Sequence, residues 1–321
     1  MTGTVRVGVV SYNTATLLPA ALDALPAALD GLAAEVVVVD NASTDGSADL
    51  LTPRAGIRLV RNGENVGYAR AMNVALAGGD DVLIALNPDT VAAPGSLRRL
   101  VECLLRTPDV GLVVPRLVGP DGAVQHSAHR FPTVRLALVT GFLPPRWRRG
   151  AIGRRLWLEG SAPHDRPADL DWAIGAVHVV RAIALGGAAP YDERWFMYAE
   201  DMELCWRLRR AGWRVLLEPS AQVVHIGNAA GAATWSTLAR EERWLDATYD
   251  WYVSARGVSA ARTWAAANVA GLLAKRAVLR GASDGDDDHV RAQRGFLLAL
   301  TRLHARRVRR PQTTGLAASR P

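Results

Sequence analysis

The run Glu35-Val36-Val37-Val38-Val39-Asp40, continued by Asn41-Ala42-Ser43-Thr44-Asp45-Gly46-Ser47, decides the fold. Four consecutive β-branched residues with no polar alternation read as a strand covered on both faces, the pattern of a parallel sheet enclosed by helices. Outward from it two periods alternate. Upstream, Val5–Ser11 is an apolar run ending in Ser11-Tyr12-Asn13, and Leu17–Leu29 has helical spacing with Thr14 as its expected N-cap. Downstream, Ile57–Val60 reads as a strand, Tyr68–Ala77 as a helix, Asp81–Leu86 as a strand closed by Asn87-Pro88-Asp89, Pro94–Arg106 as a helix and Val110–Leu117 as a strand. This order predicts an α/β fold with a Rossmann-like, doubly wound, mostly parallel sheet. Ligands bind such sheets beyond the carboxyl ends of the strands, where Ser11, Asp40, Asn41 and Asp89 all fall. No Gly-x-Gly-x-x-Gly follows the first strand, which argues against a dinucleotide-binding enzyme.

Beyond residue 118 the pattern loosens. Gly119–Arg166 is rich in Pro, Gly and Arg, carries Arg146-Trp147-Arg148-Arg149 and Arg154-Arg155-Leu156-Trp157, and reads as irregular. Asp169–Arg181 is strand-like. Tyr198–Arg210 is helical with Gly212 as its C-cap. Trp213–Leu217 and Ala221–His225 read as two strands separated by Glu218-Pro219-Ser220. Three helices follow, Trp235–Arg256, Val258–Arg280 and Val290–Arg309, with the acidic stretch Asp284–Asp288 as a hinge between the last two. The expected organisation is a domain over 1–230, divided into halves at 1–118 and 119–230. A helical extension over 231–283 and a basic C-terminal helix and tail over 284–321 complete the chain.

Composition bounds the function. The 321 residues, 49% hydrophobic and 21% charged, are ordinary for a globular protein and exclude a disordered, collagenous or coiled-coil chain. Two cysteines, Cys103 and Cys205, cannot build a disulfide framework or a cysteine zinc site, which fits a reducing compartment. Met1–Val10 runs straight into strand sequence rather than a secretory leader, and no uncharged apolar run is long enough for a spanning helix. The net charge of +7 is uneven: His289–Pro321 holds eight Arg and no acid, leaving the rest of the chain at −1. Such a tail suits an anionic partner, and it equally describes a solvated end.

Four polar strings carry candidate chemistry. Asp40, at the end of the second strand, can accept a hydrogen bond from a pyrimidine N–H or a ribose hydroxyl; the same string also makes an Asx-turn and helix cap. Asp89 is placed to hold a hard divalent cation, though Asn-Pro-Asp is also a common turn. Glu200-Asp201 opens a helix, where acids complement the helix dipole and where a shielded Asp can act as a general base. His225 closes a strand as a candidate metal ligand. His126, His129, His164, His178, His289 and His304 read as structural.

In order and spacing these strings resemble the family-2 glycosyltransferases, inverting enzymes of the GT-A fold that use nucleotide-sugar donors. The matching segments are Val10-Ser11-Tyr12-Asn13, Val39–Ser47, Asn65-Val66-Gly67-Tyr68-Ala69-Arg70-Ala71-Met72-Asn73, Leu86-Asn87-Pro88-Asp89-Thr90, Gly175-Ala176, Phe196–Arg207 and Val224-His225. They span about residues 5–230, so the resemblance implies a GT-A catalytic domain over 1–230, with 1–118 as its nucleotide-sugar half and 119–230 as its acceptor half. Asp121-Gly122-Ala123-Val124-Gln125 with Arg130-Phe131-Pro132-Thr133 is similar to the rhamnosyltransferase-like group. The resemblance implies donor-binding positions at Ser11, Tyr12, Asn13, Asp40, Asn65, Gly67, Asn87 and Asp89, with Asp40 on the nucleobase. It implies Mg²⁺ or Mn²⁺ on Asp89 and His225, Asp201 as base with Glu200 beside it, and acceptor contacts at Trp172, Gly175 and Ala176. Asn87 stands where the family's metal motif often has its first Asp, so one carboxylate remains in that motif.

The implied activity is transfer of L-rhamnose from dTDP-rhamnose to a glycan or polyprenyl-diphosphate-linked sugar, in cell-wall or polysaccharide biosynthesis. Galactofuranose, glucose and mannose are the alternative sugars, and a catalytically silent nucleotide-sugar binder is the alternative of another class. Arg beside Trp in Arg146–Trp157 suits diphosphate and sugar recognition. A basic C-terminal helix suits an anionic bilayer, so a cytoplasmic protein peripheral to the inner face of the plasma membrane is expected. No nucleic-acid recognition motif is present, and no nucleic-acid partner is expected.

Overall fold

The structure, a computed structural model, describes residues 3–51, 54–143, 147, 153, 165–227, 237–281 and 288–311. These fall into two compact units. Residues up to Arg130 together with 165–227 form the first, and 131–143 with 237–311 form the second.

The first unit is built on one sheet. Its strands are β1 (Val5–Ser11), β2 (Glu35–Asp40), β3 (Ile57–Arg61), β4 (Val82–Leu86), β5 (Thr90–Ala92), β6 (Val110–Val118), β8 (Ala168–Leu170), β10 (Val177–Arg181) and β11 (Arg214–His225). The order is β3-β2-β1-β4-β10-β6-β11-β5, with β8 also pairing β11. A separate two-stranded ladder joins β7 (Ala128–His129) to β9 (Trp172–Ala173). Pairing is parallel among β3, β2, β1 and β4 and between β6 and β11, whereas β10 runs antiparallel to both β4 and β6.

Both faces are covered, as the β-branched run at 36–39 requires. On one face Val7, Val9, Val38, Ile84 and Leu86 pack with α1 (Leu18–Leu29) and α3 (Ser96–Arg106). On the other, α2 (Tyr68–Leu76) lies so close to β1 that a Cβ on Gly8 would come within 2.9 Å of Met72, Ala75 and Leu76. Each buried Val or Leu contributes about 1.5–3 kcal/mol of apolar burial. The parallel register Ser11↔Asp40 and Val9↔Leu86 brings the ends of β1, β2 and β4 to one edge. The helix α5 (Glu200–Arg210) opens toward that edge through Gly175, whose N–H is bound by Asp201.

Several local expectations change. Thr14 is not the α1 N-cap. Leu17 is, while the Thr14 carbonyl accepts the Leu17 and Leu18 N–H groups and its hydroxyl pairs with Ser11. The strands expected on either side of Glu218-Pro219-Ser220 are one strand, β11, with a register shift between Glu218 and Gln222; a proline, lacking an N–H, is accommodated at such an irregularity. The strand-like Asp169–Arg181 is three short strands.

The second unit is helical: α4 (Val134–Phe142), α6 (Thr237–Arg256), α7 (Val258–Gly281) and α8 (Asp288–Arg309). The helix α4 lies in a stretch read as irregular. Its cap is Thr133, whose Oγ1 accepts the Leu136 N–H at 3.1 Å. It packs on α7 where Gly141 meets Gly271, and a Cβ on either would sit about 2.6 or 2.5 Å from the other's Cα. Residues 131–143 therefore group with the C-terminal helices rather than with the rest of 119–230. Tyr252 stacks on Trp264 at 4.9 Å, and the Tyr249 hydroxyl meets His304 Nδ1 at 2.7 Å, so His304 is a satisfied core histidine. Arg307 pairs with Asp246, and Arg306 with Glu242 at 2.6 Å. No helix among the described residues is long and apolar enough to cross a membrane. The Arg–Trp strings at 146–157, apart from Trp147 and Gly153, and the hinge at 284–287 lie outside the described residues.

Candidate active site

Two neighbouring strand ends build the Asp40 side of the edge. Asp40 is buried; its Oδ2 accepts the Ser43 N–H at 3.2 Å and its Oδ1 is buried with no hydrogen bond. The 40–47 loop is tied to the end of β1: Asn13 Oδ1 accepts from Thr44 N–H at 2.8 Å, and Asp45 Oδ2 from Ala15 N–H at 2.8 Å. Tyr12 is half-buried and Asn13 exposed, while the Ser11 hydroxyl is turned inward to Thr14 at 2.8 Å. Asn65 and Gly67 shape the next turn. Asn41 Nδ2 donates to Asn65 Oδ1 at 2.8 Å, and Gly67 N–H donates to the same oxygen at 3.0 Å. Gly67 has φ +87°, and a Cβ there would lie 2.7 Å from the Phe196 ring.

The β5/β11 ladder builds the second corner. Its register His225↔Thr90 sets His225 beside Asp89, with Nε2 and Oδ1 3.6 Å apart. Both side chains are nearly buried, and Asp89 Oδ1 has no hydrogen-bond partner. Burial pushes the imidazole below its usual range despite the opposing pull of Asp89, which keeps it neutral and fit to ligate. Asn87 sits one step along; its N–H donates to Ala176 O at 2.9 Å, and its Oδ1 is buried without a partner. A buried carboxylate oxygen, a neutral imidazole and a buried amide oxygen fit a hard divalent cation. Among the described residues no group of three or more His, Cys, Asp or Glu is placed to hold a metal ion.

The third corner is the start of α5. Asp201 Oδ2 accepts the Gly175 N–H at 3.0 Å and Oδ1 the Met202 N–H at 2.7 Å. A Cβ on Gly175 would lie 3.3 Å from Asp201 Cβ, so the two backbones meet closely. Glu200 is buried, with Oε2 unpartnered. Burial pushes both carboxyls above the usual carboxylate range, and the Asp201 charge adds to the rise at Glu200, whereas the backbone bonds at Asp201 pull the other way. The pair therefore holds a proton more readily than free carboxyls do. Before the helix, Tyr198 and Ala199 both take left-handed backbone, φ +69° and +67°, at a cost of roughly 1–2 kcal/mol each. The loop carrying them is braced by α2: Asn73 grips both sides of Tyr191, accepting its N–H at 3.0 Å and donating to its carbonyl at 2.8 Å. Tyr68 N–H donates to Phe196 O at 2.8 Å.

Tyr68 packs edge-on against Tyr191, with ring centroids 5.7 Å apart. Its hydroxyl is buried, and its phenol is held well above the usual range, first by burial and then by the charges of Glu200, Asp201 and Asp89. Gly175 and Ala176 contact Asp201 and Asn87 through their backbones. Trp172 is buried, stacked on His129 at 4.5 Å, with its indole N–H donating to Arg130 O at 3.1 Å. His178 is the structural residue expected, held between Ala173 O and the Tyr191 hydroxyl. Sequence reasoning assigned no role to Tyr68, Asn73 or Gln125. All three stood inside matched strings, but their partners lie far along the chain.

Known proteins resemble this architecture. The family profile "Glycosyl transferase family 2" matches residues 6–160. The chain is 36% identical over 203 residues to an N-acetylglucosaminyl-diphospho-decaprenol L-rhamnosyltransferase of Mycobacterium tuberculosis (strain ATCC 25618 / H37Rv), covering 59% of this chain and 66% of that protein. It is 23% identical over 201 residues to the rhamnosyltransferase WbbL of Escherichia coli (strain K12), covering 60% of this chain and 72% of that one. The chain thus spans just under two thirds of the first relative's length. The mannosyltransferase PcManGT from Pyrobaculum calidifontis, solved in complex with GDP-Man and Mn²⁺, shares the fold with a TM-score of 0.56 and 19% identity, over 98% of this chain and 89% of that one. The fold is GT-A.

Proposed function

We propose that the chain is a family-2 glycosyltransferase that transfers L-rhamnose from dTDP-rhamnose, with inversion, to a sugar carried on a polyprenyl diphosphate or a growing glycan. The observation that supports the reading is that Asp89, 3.6 Å from His225, follows Asn87, whose N–H is bound by Ala176, while the adjacent Gly175 holds Asp201 by its own N–H. The sugar and the lipid-linked acceptor are those named for the M. tuberculosis relative.

In this scheme Asp40 Oδ1, buried and unpartnered, accepts the ring N–H of the nucleobase. Asp89 and His225, with Asn87 beside them, would hold Mg²⁺ or Mn²⁺. When bound, the cation neutralises charge that develops on the leaving diphosphate. Asp201 takes the proton of the acceptor hydroxyl as that oxygen bonds to the anomeric carbon from the face opposite the departing diphosphate. One displacement inverts the carbon, so a β-L-rhamnosyl donor gives an α-L-rhamnoside. Gly175 holds Asp201 by its N–H, and fixed placement of base and acceptor lowers the barrier by several kcal/mol. The 289–321 stretch, with eight Arg and no acid, holds the protein at an anionic membrane surface where a lipid-linked acceptor resides.

Asp201→Asn tests the base. Transfer from dTDP-rhamnose should fall roughly 10²–10⁴-fold while the donor still raises the melting temperature with Mn²⁺ present. Wild-type turnover in that variant would remove Asp201 from the role. A thermal-shift panel of nucleotide-sugars identifies the donor, and stabilisation by another sugar in preference to dTDP-rhamnose would refute the rhamnose assignment. Flotation with anionic liposomes should depend on residues 284–321; equal flotation with and without them would refute the membrane role.

A further inference from the structure

We propose that Gln125 is a positioning residue that locks His225 in the tautomer with its proton on Nδ1, leaving the Nε2 lone pair facing Asp89. The inference rests on the reading of Asp89 and His225 as cation ligands. Gln125 follows β6, with its own N–H donating to Leu117 O at 2.9 Å. Its side chain grips His225 twice: the amide Nε2 donates to the His225 carbonyl at 2.5 Å, and Oε1 lies 2.8 Å from His225 Nδ1. The first contact fixes the second. A carbonyl oxygen carries no hydrogen, so the amide nitrogen must face it, and the amide oxygen must then face Nδ1. An amide oxygen only accepts, so Nδ1 carries the proton. A neutral imidazole has one proton, and Nε2 is left as a lone pair.

That assignment explains an oddity at Asp89. A histidine serving only to satisfy a buried carboxylate would turn an N–H toward it. Here Nε2 lies 3.6 Å from Asp89 Oδ1, beyond hydrogen-bond distance, and Oδ1 is buried without a hydrogen-bond partner. Two electron-rich atoms face each other across a gap that a cation relieves, and Gln125 has committed the imidazole proton elsewhere. Metal-binding histidines are oriented in this way by an acceptor on the opposite nitrogen. The same segment reaches the base corner: Ser127 O accepts the Ile174 N–H at 3.0 Å, next to the Gly175 that holds Asp201. The strap from 125 to 127 therefore spaces the ligand pair relative to the base.

The test uses the full chain with ¹⁵N-histidine, and His225→Gln for resonance assignment. Long-range ¹H–¹⁵N spectra without metal should show His225 protonated on Nδ1; protonation on Nε2 overturns the proposal. Mn²⁺ affinity in the presence of dTDP is read by electron paramagnetic resonance. Gln125→Met keeps the volume and removes both polar arms, and should weaken Mn²⁺ binding roughly 10–100-fold. Gln125→Glu keeps the acceptor for Nδ1–H and should stay within about threefold of wild type, a rescue that general loosening of the loop would not produce. Unchanged Mn²⁺ affinity in Gln125→Met overturns this inference alone. A wild-type protein that binds no Mn²⁺ overturns it together with the ligand reading beneath it.

Discussion

Glu200→Gln should make the protein more stable at neutral and alkaline pH. The buried carboxyl has one oxygen without a partner and shares its surroundings with the Asp201 charge. Its folded-state affinity for a proton is raised above that of the unfolded chain. The stability this contributes is therefore complete below the ordinary carboxylate range and is lost as pH rises through the folded-state titration. At pH 8 the ionised group is a burden that a neutral amide of the same shape lacks. Each tenfold increase in proton affinity on folding corresponds to about 1.4 kcal/mol, so a gain of about 1–3 kcal/mol is expected. That corresponds to a rise in melting temperature of roughly 2–6 °C for a chain of this size. The assay is a melting series from pH 4.5 to 8.5 on both proteins. The curves should converge at the acid end and separate as pH rises. A variant less stable at every pH, or one displaced by the same amount at all pH values, would refute the electrostatic account of this corner.

Two further outcomes follow from the same corner. Because burial raises the Asp201 carboxyl, the acid limb of kcat/KM should lie above the ordinary carboxylate range, with activity rising as the base loses its proton; a limb at ordinary aspartate values, measured with a saturating cation, would place the base elsewhere. Gly175→Ala inserts a Cβ 3.3 Å from Asp201 Cβ while keeping the N–H that holds the carboxylate. Turnover should drop about tenfold with donor KM nearly unchanged, since small displacements of a reacting group are costly; unchanged kcat would show that this spacing is not critical.

Much of the fold was legible because its signals are local. The unbroken β-branched run of β2, the helical spacing of α1 and α2 and the polar residues closing β1, β2 and β4 each reflect a short-range demand for burial or for a turn. The antiparallel β10 was not legible, since Val177–Arg181 has the same apolar character whichever way it runs. Pro219 looked like a break between strands, yet β11 absorbs it by slipping register against β6. The helix α4 was hidden by the Pro- and Arg-rich stretch around it, although Thr133 was a readable cap. In the candidate site, the sequence named Asp89, Asp201 and His225 by order and spacing, but the Gln125 grip joins groups 100 residues apart and leaves no local trace. Tyr68 likewise acquires its setting from a loop that arrives much later in the chain.

The β5/β11 ladder has a consequence for biosynthesis. It is only three residue pairs long, from Val223↔Ala92 to His225↔Thr90, yet its register sets the imidazole beside the carboxylate. During synthesis β1, β2 and β4 leave the ribosome well before β11 does, and domains generally fold from the N-terminus as they emerge. An incomplete chain can thus shape the Asp40 edge while the corner of Asp89 and His225 is still half made. On the function proposed above, truncation products ending ahead of Arg214 would compete for the activated sugar without being able to spend it.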